Sequence, residues 1–274
     1  MAGGSILTAS FEASWDVWDD STGEAVRNFT LYDTSTEFSA TEVRLLSNCG
    51  TMQDASTGKV LRIFGVRSVL VKTSAFSPTW ESVLTTVWGR TGEGSMKMLD
   101  ASTGQVLMTF TGSPASMSSA ALSPMGDYVL GASDDRTALM WNAASGELVT
   151  RFRGHLDTVN SAEFSPHGVL VVTASMDMTA KMWGALSGKL VLDFVGHAGG
   201  VTSAVFSPGR AERVLTASWD ATAITWDAVT GELLQRFKGH SGVVTSAVFS
   251  PTGECVLTAS WDGTAKLWNA STGK

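Results

Sequence analysis

Residues 196–240 read GHAGGVTSAVFSPGRAERVLTASWDATAITWDAVTGELLQRFKGH, and residues 239–274 continue GHSGVVTSAVFSPTGECVLTASWDGTAKLWNASTGK. TSAVFSP and LTASWD recur without change. A fixed internal period means that one small unit is stacked many times, each copy burying the apolar face of its neighbour. Followed backward, the period converts the chain into a count. Trp141, Trp183, Trp226 and Trp268 close successive units at spacings of 42, 43 and 42 residues, and Trp18 closes one far upstream. Gln53 and Leu99 hold the same place before the same turn, which completes seven units. The turns are DDSTG, DASTG, DASTG, NAASG, GALSG, DAVTG and NASTG, each with glycine at one offset. Glycine there supplies the positive φ that a tight strand connection needs.

Within a unit the signal is strand throughout. In the last one VVTSAVFS, ECVLTAS and TAKLWN are short runs rich in Val, Leu, Thr and aromatics, broken by PTG and WDG turns. A fourth run precedes each Gly-His, as ELLQRF precedes Gly239. Four antiparallel strands per unit, with no sustained helical period, describe a propeller blade. The expectation is one all-β domain over 1–274, with blade motifs ending near residues 20, 55, 101, 143, 185, 228 and 270.

These features resemble the WD40-repeat family. The carriers are Gly154-His155, Gly196-His197 and Gly239-His240, the turn residues Asp135, Asp177, Asp220 and Asp262, and the strand-end tryptophans. The resemblance covers nearly the whole chain and implies a seven-bladed β-propeller. It also implies a buried hydrogen-bond network in each complete blade. Carried over, the networks are His155, Ser175, Asp177 and Trp183; His197, Ser218, Asp220 and Trp226; and His240, Ser260, Asp262 and Trp268.

Ser, His and Asp are also the ingredients of nucleophilic catalysis. A triad needs a nucleophile on an exposed, strained turn with a base in reach. Here the serines lie inside LTAS runs, and the set occurs three times, which argues for repeated structure. No catalytic residue, metal ligand or cofactor is assigned: the sequence holds no GxxxxGK[ST], no HExxH and no zinc spacing. Gly92-Glu93-Gly94 reads as a loop, and His167 as a solvated turn residue. The competing class is a propeller enzyme at the channel mouth, for which Glu12 and Asp134 are the available carboxylates.

The blades are unequal. Blade four keeps Ser133, Asp135 and Trp141 but aligns Ser113 with the histidine. Blade three aligns Arg67, Val87, Gly89 and Leu99 with His, Ser, Asp and Trp, and adds the insert RTGEG. Blade two, from Phe29 to Gln53, is short and has no FSP segment. Blades two and three are therefore expected to be degenerate, blade one to lack its first strand and blade seven its last. WD40 rings usually close by borrowing that last strand from the amino terminus, and truncation at the amino terminus is favoured over an open ring, whose unpaired edges proteins normally protect.

The resemblance places partner binding on the top face. The residues just before the turn aspartate are Phe11, Trp88, Asp134, Met176, Trp219 and Trp261, five of the six large and apolar. Such side chains are enriched at interfaces. The opposing reading has each tryptophan folded back on a neighbouring blade. A second rim follows the histidines: Thr158 and Asn160, Gly200 and Thr202, Val243 and Thr245, completed by Ser116, Ser118, Leu70 and Lys72. It is small and polar, which fits an apolar peptide better than a phosphopeptide. The expected function is thus a non-catalytic scaffold that binds peptides or loops of other proteins.

Composition sets bounds. The 274 residues carry 19 Lys and Arg against 26 Asp and Glu, a net charge of −7. That balance opposes a phosphate-backbone ligand, so nucleic acid is not an expected partner. No run of apolar residues is long enough for a membrane helix, and the start MAGGSILTAS has no basic segment before an apolar one. Cys49 and Cys255 fit no CxxC pattern and read as reduced thiols. The expected location is the cytoplasm, with the nucleus as the alternative.

Overall fold

A computed structural model describes the backbone of residues 5–9, 14–19, 25–30, 36–38, 44–47, 51–54, 59–64, 70–88, 94–113 and 115–274, and the side chains of 51–54, 59–64, 75–86, 95–113 and 115–274. Among the described residues every regular element is a strand. The strands form seven antiparallel meander sheets in chain order; the first and last have three strands and the five between have four. No helix among these residues is long and apolar enough to cross a membrane.

The fifth sheet shows the unit: Val159–Phe164, Leu170–Ser175, Thr179–Gly184 and Leu190–Val195. Its two central strands are almost wholly buried. A strand in such a sheet has two faces to cover, and each face packs on a neighbouring sheet. Val172, Met182 and Phe194 of the fifth sheet join Val201, Val214 and Trp226 of the sixth in one cluster. Leu130, Met140 and Phe152 of the fourth join Val159, Val171 and Trp183 of the fifth in another. Contacts between consecutive sheets concentrate on their first strands, so those strands converge while the fourth strands splay outward.

Two irregularities recur at fixed places. The third and fourth strands shift register at the closing tryptophan, between Met140 and Trp141, Met182 and Trp183, and Thr225 and Trp226. The first and second strands shift between Val159 and Ser161, Val201 and Ser203, and Val244 and Ser246. A bulge leaves one residue unpaired and re-aims its side chain. Asn160, Thr202 and Thr245 are those residues.

The second sheet, Thr36–Phe38, Arg44–Ser47, Thr51–Asp54 and Val60–Ile63, is built of shorter strands. The last sheet has no fourth strand among the described residues, and its exposure differs accordingly. Leu257 is half-buried whereas Leu215 is fully buried, and Leu267 is 58% exposed.

The interface between the sixth and seventh sheets carries a flaw. Thr225 stands where the fourth and fifth sheets have Met140 and Met182. Its hydroxyl is buried with no partner, as is that of Ser203. An unmet buried hydroxyl costs about 1–3 kcal/mol. Thr225→Val removes the hydroxyl at constant shape and is expected to raise the unfolding free energy by about 1 kcal/mol. Urea denaturation checks it; an unchanged or lower midpoint speaks against the flaw.

Candidate functional site

His155, Asp177 and Trp183 come together as the sequence suggested, but through a different hydroxyl. His155 Nδ1 lies 2.8 Å from Asp177 Oδ2, and Nε2 lies 2.7 Å from Thr173 Oγ1. Trp183 Nε1–H donates to that same Thr173 oxygen at 2.9 Å. Thr216 and Thr258 take this place in the next two blades, between His197 and Trp226 and between His240 and Trp268. The serines are displaced from the role assigned to them. Ser175 Oγ donates to Asp157 O and accepts Asp177 N–H; Ser218 and Ser260 likewise tie Gly199 O to Asp220 N–H and Gly242 O to Asp262 N–H. They close the turn. Alternation explains the difference, since Thr173 and Ser175 share a strand face, and only the residue two places back reaches the indole N–H.

Directionality follows from the donors. An ionised carboxylate only accepts, so His155 Nδ1 carries the hydrogen and Nε2 accepts from Thr173. Burial, opposed by Asp177, lowers the His155 pKa, which suits this neutral form. Burial works against ionised Asp177 too, yet hydrogen bonds from Thr179, Leu156 N–H and His155 hold it at about 2. Asp220 is held well below the usual carboxylate range in the same way, against its burial, by His197, Thr222 and Ala198 N–H. No serine oxygen meets Nε2, and the hydroxyl that does is 0% exposed. This arrangement presents no nucleophile to solvent.

Glycine before each histidine has a steric reason. A Cβ on Gly154, Gly196 or Gly239 would stand 3.0–3.1 Å from the indole edge of Trp183, Trp226 or Trp268. In the fourth blade the network is rebuilt without His or Thr. Ser113 Oγ meets Ser133 Oγ at 2.7 Å and Asp135 Oδ2 at 3.3 Å, and Trp141 Nε1–H donates to Thr111 O because Gly131 offers no hydroxyl. Arg151 pairs with Asp135. In the fifth blade the outer pairing is reversed: Asp193 takes the fourth-strand place of Arg151 and Arg236, and buried Lys181 reaches it at 2.5 Å.

The frame holds the residues beside it in fixed positions. Trp219 N–H donates to Gly200 O and Trp261 N–H to Val243 O, both at 2.9 Å, between a serine and an aspartate that are themselves tied down. The two indoles remain outside the network, 46% and 62% exposed. They meet edge to face, with ring centroids 5.2 Å apart at 67°. Met176 N–H is held by Thr158 O, and its thioether lies over Gly200, where a Cβ would stand 2.8 Å from the sulfur. The reading of tryptophan folded back on its neighbour therefore describes part of each ring, and the rest faces solvent. Asp134 is exposed and accepts Ser118 Oγ–H at 2.7 Å. Phe11 and Glu12 lie outside the described residues, as do the side chains of Trp88, Leu70 and Lys72.

Three side chains of the polar rim bond within the chain. Asn160 Nδ2 donates to Val201 O and Thr202 Oγ1 to Val244 O, each across to the next blade at 2.7 Å. Thr245 Oγ1 donates to Ala259 O within its own blade. As bulge residues they are turned into ties within the chain. Thr158 and Val243 are half-buried and serve the rim through their carbonyls, which receive Met176 and Trp261 N–H. Two apolar side chains went unassigned: Leu156, 81% exposed beside His155, and Met178, 47% exposed beside Asp177. Their signal was available, because each adjoins a residue whose own side chain must turn inward.

Glu163 is a further ionisable group of the blade. It sits on an inner strand where the sister blades have Ala121, Val205 and Val248. Burial pushes its carboxyl up to about 8, against a bond from Phe206 N–H. Between the ordinary value of 4.5 and 8 the folded chain keeps a proton that the unfolded chain has lost, so this group withdraws stability as pH rises. The unfolding free energy of Glu163→Gln, from urea denaturation, should gain on the original between pH 5 and pH 8.5 by about 1 kcal/mol or more. A pH-independent difference would contradict the assignment.

The family model described as WD domain, G-beta repeat matches residues 104–142, 146–184, 188–227 and 231–269, more than half of the chain. Comparison with curated proteins gave no match.

Proposed function

The chain belongs to the WD domain, G-beta repeat family, and from that premise we propose a seven-bladed propeller whose top face holds an extended, largely apolar peptide or loop of a partner protein. Repeats of this family generally mediate protein–protein interaction and typically belong to scaffolds without enzymatic activity. Closure of the ring would set the first sheet against the open face of the seventh, where Val248 and Leu267 are exposed.

One observation carries the binding reading: two indoles from adjacent blades, 46% and 62% exposed, stand edge to face on turns whose Trp219 and Trp261 N–H groups are bonded to Gly200 and Val243 carbonyls. Frame stability does not call for them to be exposed, since the indoles that fill the core are Trp141, Trp183 and Trp226, 1–2% exposed. Exposed aromatic area held on rigid backbone binds at little conformational cost. Leu156, Met176 and Met178 extend the apolar supply on the preceding blade. Several tied turns presenting different side chains suit assembly more than bond chemistry. The acidic balance disfavours nucleic acid, and Cys255, a free thiol, is consistent with the cytoplasm or nucleus.

Panning a display library of random peptides against the chain and against Trp219→Ala/Trp261→Ala tests this reading. The original chain should enrich a family of apolar sequences that the variant does not. Enrichment of the same sequences by both would remove the indole pair from the site.

A further inference from the structure

The turns between first and second strands, and those between third and fourth, lie at the opposite ends of the strands from the indole pair. In the third, fourth and fifth sheets these turns join into one surface. Within each sheet the two turns are tied: Ala101 N–H donates to Glu81 O, Ala143 N–H to Asp127 O and Ala185 N–H to Val169 O, at 2.8–3.0 Å. Between sheets, proline meets glycine. A Cβ on Gly126 would stand 3.9 Å from Pro78, and one on Gly168 3.5 Å from Pro124.

The centre of this surface is apolar. Met125 is 82% exposed, and Val169 and Leu186 are 66% exposed each. Trp80, half-buried on Phe76 with ring centroids 4.9 Å apart, extends the surface onto the third sheet. It takes a φ of 63° in the turn position that Gly126, Gly168 and Gly253 hold at 72–81°. A tryptophan is kept there against its own backbone preference, although glycine serves the sister turns. Exposed apolar side chains gathered on adjoining turns mark an interaction site.

The margin selects the partner. On these same turns Glu81, Asp127 and Glu147 are exposed and Asp100 is half-buried, and none of the four makes an ion pair among the described residues. Lys189 is the cation they carry, and Arg62 reaches in to Thr103 O at 2.8 Å. The acids outnumber these cations, so the margin repels anionic lipid and nucleic acid and attracts Lys and Arg.

We propose that this face binds a segment of a partner protein in which apolar residues alternate with Lys or Arg. It lies away from the indole pair, and the inference does not rest on the peptide site proposed above.

The probe is a fluorescent peptide of alternating Leu and Lys, titrated onto the full chain beside its Leu–Glu counterpart. Saturable one-to-one binding of the Leu–Lys peptide is expected, weakening as salt is raised. Met125→Ser/Val169→Ser/Leu186→Ser should weaken it by about tenfold or more. Because these side chains are largely exposed, the urea midpoint of that variant should match the original. Glu81→Gln/Asp127→Asn should weaken binding by about threefold or more and reduce its salt dependence. Trp219→Ala/Trp261→Ala should bind the peptide unchanged, which separates this face from the top one. No saturable binding, equal binding of the Leu–Glu peptide, undiminished binding by the triple variant, or loss of binding in Trp219→Ala/Trp261→Ala would overturn the proposal.

Discussion

Replacing Asp220 with alanine is expected to lower the unfolding free energy by about 3–5 kcal/mol, because several enclosed donors lose their acceptor at about 1–3 kcal/mol each. Asp220 accepts His197 Nδ1–H at 2.8 Å, Ala198 N–H at 3.0 Å, Thr222 N–H at 2.9 Å and Thr222 Oγ1–H at 2.7 Å. Its side chain is 9% exposed. Alanine leaves all these donors without the acceptor, and water cannot replace it freely in so enclosed a place. Urea denaturation measures the loss. Asp134, the neighbour of the corresponding aspartate two blades earlier, is exposed and provides the control: Asp134→Ala should cost no more than about 0.5 kcal/mol. Equal effects of the two replacements would show that the network does not hold the blade.

Phe194→Ala is expected to cost about 3–5 kcal/mol by the cavity it leaves. The ring is 1% exposed and lies 5.7 Å, centroid to centroid, from Trp226 of the following sheet. Phe152 with Trp183 and Phe237 with Trp268 repeat the pair at 5.9 and 5.8 Å. The fourth strand of one blade thus seals the core of the next. Loss should therefore be felt across the junction, and exchange of the amides in Thr222–Asp227 should quicken together with that in Leu190–Val195. A cost under about 1 kcal/mol would mean that blades are stabilised singly rather than through their junctions.

Much of this was legible in the sequence because repetition makes local signals add. The strand order of a blade, the closing tryptophans and the Gly-His loops follow from a period read over several copies. The threonine of the network did not, although a signal existed: blade four lacks both the histidine and the threonine, with Ser113 and Gly131 in their places, while keeping Ser133, Asp135 and Trp141. That joint loss ties histidine to threonine and leaves serine free for the turn. Bulges were not legible, because an unpaired residue such as Asn160 or Thr202 changes which way a side chain is aimed without altering the strand pattern. Exposure of the indoles was equally beyond sequence. Trp219 and Trp226 are both aromatic residues next to an aspartate, and only the packing of sheets makes one half-exposed and the other core.

Titration calorimetry of a selected apolar peptide into Trp219→Ala/Trp261→Ala tests most directly whether the repeated polar set is frame and the indole pair is function. Interface tryptophans of this kind carry about 2 kcal/mol or more, roughly a 30-fold change in affinity. The account predicts at least that loss, with the unfolding midpoint nearly unmoved. Affinity within about threefold of the original chain would contradict it.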